Sequence, residues 1–170
     1  MFKTIMLAGT LLLPFQAFSI VRLHDVSEQQ YLVQSPPAYL VDMPGEGHGA
    51  LIAPQWLVTV AHLIFNDKYP GKTLTIGGKT YQIEKVIKHP AARSADASLT
   101  QGDAAPLMDF MKSTSDIALI KLSQPVVNVQ PVSLYRWQDE AGKVITAYGR
   151  GSTGDGITGA EFKTKRNKIL

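Results

Sequence analysis

The four histidines, His24, His48, His62 and His89, are the side chains of this chain best suited to moving a proton near neutral pH. No two of them stand four residues apart, and none has an acid in a ligand spacing, so they do not predict a metal centre. His62 differs from the others in its setting. It closes the run Leu57-Val58-Thr59-Val60-Ala61-His62, in which Leu57 to Val60 read as a short buried strand. An imidazole fixed at the end of a rigid strand suits general-base chemistry, because its position must be set before its pKa matters. A lone histidine in such a place more often makes a structural hydrogen bond, so its neighbours must decide between the two readings. The acid with the most suggestive setting is Asp116, which opens a second apolar run from Ile117 to Leu122. Taken alone, it reads as a cap or turn residue.

The elements that would hold these residues are strands. Gly47-His48-Gly49 leads into Ala50-Leu51-Ile52, and a Pro54-Gln55 turn sends the chain back toward His62. Further on, Leu74-Thr75-Ile76, the turn signal Gly77-Gly78 and the run Thr80 to Lys88 predict a hairpin. The apolar phase shifts between Ile83 and Val86, which predicts a bulge or burial on both faces, and His89-Pro90 ends the strand. Residues 91–115 form a long interruption rich in Ala, Ser, Asp and Gly. Leu107, Phe110 and Met111 recur there at spacings of three and four, which predicts a short helix after Pro106 packed on the core. Ile117 to Leu122 is apolar on both faces apart from Lys121, as a well-buried strand should be. Ser35-Pro36-Pro37-Ala38 reads as an extended connector. So does Pro125 to Arg136, with a strand expected from Lys143 to Tyr148 and a glycine-rich loop from Gly149 to Gly159.

Composition bounds what such a protein can be. With 45% hydrophobic and 18% charged residues, the 170-residue chain is globular in character. A net charge of +3 spread without a basic stripe does not imply nucleic acid as a partner, and the basic run Lys163 to Lys168 reads as a solvated tail. There are no cysteines, hence neither thiol chemistry nor a thiolate metal site. No calcium loop or phosphate loop is visible, so no cofactor is expected. Lys3, the apolar stretch Ile5 to Phe15 and the small residues Ala17 and Ser19 read as a secretory signal peptide over residues 1–19. The stretch is too short to span a bilayer. A secreted or periplasmic protein, free of the membrane after cleavage, is therefore expected.

Three segments taken together resemble trypsin/chymotrypsin-like serine endopeptidases of bacterial type. Ala50 to His62 (ALIAPQWLVTVAH) looks like the histidine motif of that family, and Ser115 to Leu122 (SDIALIKL) like its aspartate motif. Ile145 to Gly151 (ITAYGRG) is similar to the strand that opens its second barrel. The resemblance implies an all-β, trypsin-like double β-barrel with the first barrel present and the second truncated. Residues 20–124 would form the first barrel, 125–142 the connector and 143–170 the start of an incomplete second barrel.

The resemblance also implies roles. Asp116 would accept the Nδ1 proton of His62 and His62 would act as general base, in the Ser-His-Asp scheme that is this family's own. The serine nucleophile should lie in a Gly-Asp-Ser-Gly-Gly turn, and no serine of this chain has that setting. Ser152 is the nearest, but its flanks resemble the glycine-rich loop upstream of the nucleophile. His89 matches a position whose role in the family is structural. Members commonly carry a disulfide where this chain has Gly47 and Leu63, and Ile20-Val21 resembles an activation terminus with Arg22 in place of the usual glycine. The expected function is a secreted serine-type endopeptidase acting on polypeptides by acyl transfer, inactive as this chain alone. The alternative is a non-catalytic barrel of the same lineage that serves as a binding module.

Overall fold

Short alternating strands joined by tight turns build most of the molecule. The computed structural model describes residues 20–44, 47–64, 69–150, 153–155, 159–161 and 167–169. Residues 1–19, where a signal peptide is expected, Ser152 and most of the basic run lie outside the described residues. In chain order the elements are β1 (Ile20–Arg22), β2 (Leu40–Asp42), β3 (His48–Ala53), β4 (Trp56–Thr59), β5 (Thr73–Ile76) and β6 (Lys79–Lys88). They continue with α1 (Ala105–Ser113), β7 (Ala118–Leu122), β8 (Tyr148–Arg150), β9 (Thr153–Asp155), β10 (Gly159–Glu161) and β11 (Asn167–Ile169).

Six strands form one antiparallel sheet in the order β2-β3-β4-β7-β6-β5. Its two ends, β2 and β5, approach each other, so the sheet curls into a nearly closed barrel. Alternation decides what fills it. Leu51, Leu57, Ile83, Ile120 and Leu122 project inward and are at most 1% exposed, with Val41, Leu74, Ile76 and Tyr81 packed around them. Local chemistry sets the register. Pro54-Gln55 reverses the chain between Ala53 and Trp56, and Gly77 and Gly78, at φ 54° and 78°, supply the two left-handed residues of a two-residue hairpin. The expected irregularity in β6 is a register shift between Ile83 and Lys85.

Residues 125–136 run back over the barrel. Val126 is buried in the core and its N–H donates to Pro54 O at 2.7 Å, while Val132 N–H donates to Leu51 O at 2.9 Å. The Asn128 side chain pins this stretch to the glycine turn. It donates to Gly77 O at 2.9 Å and accepts from Tyr81 Oη at 2.5 Å. An open groove of about 690 Å³ remains between Ile52-Ala53-Pro54 and residues 126–136.

Two expectations are corrected. The helix after Pro106 exists as α1, but it has no buried residue, and Met108 and Met111 are 50% and 57% exposed. Its spacing gives it an apolar face, but among the described residues its main contact is with the short 3-10 turn Ala97–Thr100 rather than with a strand of the barrel. The run Lys143 to Tyr148 is not a strand over its length, because ladder pairing begins only at Tyr148, where β8 meets β11. A strand exists only where a partner offers backbone groups, and among the described residues none pairs with Val144 or Ile145.

The remaining strands form two small sheets apart from the barrel. β1 pairs in parallel with β9, which pairs with β10, and β8 pairs with β11. No described helix is long and apolar enough to cross a membrane.

Candidate active site

Strand pairing places His62 and Asp116 together. β4 and β7 are antiparallel neighbours, and their last matched pair is Thr59 with Ala118. His62 lies three residues beyond Thr59, in a short 3-10 turn (Ala61–Leu63), and Asp116 lies two residues before Ala118. The C-terminal end of β4 thus lies beside the N-terminal end of β7, and both side chains emerge at one rim of the barrel. Buried Thr59 fixes this rim, its hydroxyl donating to His48 O on β3 at 2.8 Å.

The pair is in direct contact. His62 Nδ1 lies 2.5 Å from Asp116 Oδ2, and the His62 N–H donates to Asp116 Oδ1 at 2.8 Å. One carboxylate therefore grips both the ring and the backbone of the same residue, which fixes the imidazole in direction as well as distance. With Nδ1 as donor, Nε2 is the ring's proton acceptor and no described residue hydrogen-bonds to it. Partial burial alone would raise the Asp116 pKa. The bonds from the His62 ring and from the His62 and Ala61 backbone outweigh it, and the carboxyl is held below its ordinary value. The site is open to solvent, with the side chains of His62 and Asp116 56% and 38% exposed.

The position after His62 also matters. The Leu63 methyl Cδ1 would lie 2.3 Å from a Cβ placed on Gly47, which holds φ +76°. Leu63 thus rests on bare backbone at the place where the family resemblance expects a disulfide, and Tyr69 Oη donates to Leu63 O at 3.1 Å. Sequence reasoning marked both positions but not this contact. Glycine at 47 is favoured by its left-handed φ, and a Cβ there would also push the Leu63 methyl aside.

The other histidines lie elsewhere. His48 Nε2 stands 3.4 Å from Asp42 Oδ1 across the β2–β3 pair. His89 accepts from the Ala91 N–H through Nδ1 and its own N–H donates to Ile117 O, so it shapes the backbone next to Asp116. His24 is exposed on the segment after β1. Among the described residues no group of three or more His, Asp or Glu is placed to hold a metal ion. The groove beside residues 126–136 includes neither His62 nor Asp116 in its lining.

The barrel is nearly closed and antiparallel, and at one rim it presents an imidazole and a carboxylate in direct contact. The family model described as Trypsin matches residues 32–166, and the chain belongs to the trypsin family, whose members are serine peptidases acting on polypeptides.

Proposed function

We propose that His62 is the general base and Asp116 its orienting carboxylate in peptide-bond cleavage by acyl transfer. The observation that carries this reading is the double grip of Asp116 on the ring and backbone of His62. With Nδ1–H committed to Asp116, Nε2 is left to take the proton of an attacking hydroxyl and return it to the leaving amine. The carboxylate also stabilises the imidazolium that forms between these steps. Desolvation by substrate would strengthen that interaction, because the pair is partly exposed in the free protein.

The nucleophile and the oxyanion-hole amides are not among these 170 residues, since no serine stands in a Gly-Asp-Ser-Gly-Gly turn. By itself, then, this chain does not complete the reaction. Export through a leader over residues 1–19 is part of the same reading and rests on the charge and apolar pattern of that segment.

A fluorophosphonate probe tests the chemistry. No labelling of the 170-residue chain is expected. Labelling that disappears in His62→Ala would show a working nucleophile and overturn the claim of inactivity. The pair itself is tested by the NMR signal of the His62 Nδ1 proton, expected far downfield in the parent and absent in Asp116→Ala. Its persistence in that variant would end the reading.

A further inference from the structure

The catalytic reading needs Asp116 to stay where it is, yet Asp116 stands at the end of a long surface excursion whose helix has no fully buried residue. What holds the base of that excursion is visible in its hydrogen bonds. Beyond the last strand pair, the two chains continue side by side as an irregular neck. His89 N–H donates to Ile117 O at 2.9 Å, and Ser115 N–H donates to Ala91 O at 3.2 Å. Asp116 lies between these two rungs, so the backbone on either side of it is fixed by residues 89–91. The neck closes at Arg93. Its N–H donates to Thr114 Oγ1 at 2.9 Å, and Thr114 Oγ1 in turn donates to Ala91 O at 3.3 Å. Its guanidinium Nη2 donates to Ser113 O at 2.9 Å and to Ser113 Oγ at 2.6 Å, and its Cζ lies over the Phe110 ring, 5.3 Å from the centroid.

We propose that Arg93 is a positioning residue for Asp116, closing the neck of the 93–114 excursion so that the carboxylate stays aimed at His62. Arginine suits this place for physical reasons. One guanidinium nitrogen donates to a carbonyl and a hydroxyl while the planar face of the same group lies on an aromatic ring, and a lysine ammonium has no such face. It also caps the C-terminal end of α1, where the free Ser113 carbonyl favours a cation. Without Arg93 the helix would lever on Thr114 and Ser115, and the rung next to Asp116 would open first, being exposed and bound by single hydrogen bonds.

The inference rests on the reading of His62 and Asp116 as a working pair, and its test separates the two. In the 170-residue chain, the Asp116 carboxyl carbon is titrated by NMR and amide exchange is followed at Ser115, Leu57 and Ile120. In Arg93→Ala, exchange at Ser115 should rise about 10-fold, as for loss of one net hydrogen bond, with Leu57 and Ile120 unchanged. The Asp116 midpoint should move up toward the ordinary carboxylate value. Arg93→Lys should fall between, and Phe110→Ala, which removes the ring and leaves the fork, should resemble a weakened parent. An Asp116 titration that superimposes on the parent's in Arg93→Ala and Phe110→Ala would overturn the clamp. A parent Asp116 that titrates as an ordinary carboxyl, or is indifferent to His62→Ala, would instead overturn the pair.

Discussion

The six-stranded barrel and the stretch that follows it share one composition but not one environment. In the barrel, apolar residues alternate inward and disappear: Leu51, Leu57, Ile120 and Leu122 have no measurable exposure. From Val127 to Gly149 no described residue is buried, and Val127, Trp137, Val144 and Ile145 are among the large side chains left facing water. The difference is one of partners. A strand in a closed sheet has neighbours on both edges and a filled interior, whereas the later segments meet only short pairings such as β8 with β11. Apolar sequence becomes core only where geometry supplies a second surface. His62 and Asp116 lie just past the paired ends of β4 and β7, two strands that have such a surface.

That contrast can be broken experimentally. Leu57→Ala or Ile120→Ala should each cost about 2–5 kcal/mol in denaturant unfolding, since each leaves a hole in a closed core. A loss below half of that range would mean the barrel is not the cooperative unit. Gly47→Ala comes next, at about 1–3 kcal/mol, because it combines a left-handed φ with the Leu63 methyl in the way. Asn128→Ala should cost about 1 kcal/mol by leaving Tyr81 Oη without its acceptor. If that variant were neutral, residues 125–136 would not be part of the barrel's folding.

The pH prediction is smaller, because Asp116 is substantially exposed and solvent screens it. Its folded pKa lies below its unfolded one, so its contribution is complete above the ordinary carboxylate range, about pH 4, and is lost as pH falls through the lower folded value. The acid limb of the stability curve should therefore flatten in Asp116→Asn. An unchanged acid limb would remove the electrostatic part of the pairing. Last, Val144→Ser and Ile145→Ser should change stability by no more than about 0.5 kcal/mol while lowering self-association in sedimentation. A large loss of stability there would mean these side chains are covered after all.

Much of the barrel was legible because strand signals are local. The hairpin at Gly77-Gly78 follows from two residues that tolerate positive φ, and the β6 bulge follows from a phase slip at Ile83 that a period of two cannot absorb. The two motifs that carry His62 and Asp116 were legible through their resemblance to a family, and their contact is a matter of geometry. What failed to show was everything set by a distant partner. Spacing gave α1 its helix but could not say whether anything lay beneath it. The apolar run at Val144 and Ile145 reads as a strand and has no ladder. The parallel pairing of β1 with β9 joins segments with no common local signal. Arg93 was silent for the same reason, as one basic residue in a loop of Ala, Ser and Asp whose fork acquires meaning only through Ser113 and Phe110.

The contact of Leu63 with Gly47 has a consequence for how the protein is made and handled. A methyl group resting on peptide backbone needs no oxidant to form and no reductant can release it, so closing the rim that carries the imidazole involves no redox step. Refolding from denaturant should then be indifferent to glutathione or dithiothreitol. The same economy has a cost, since nothing covalent stops the turn from opening when the chain is warmed.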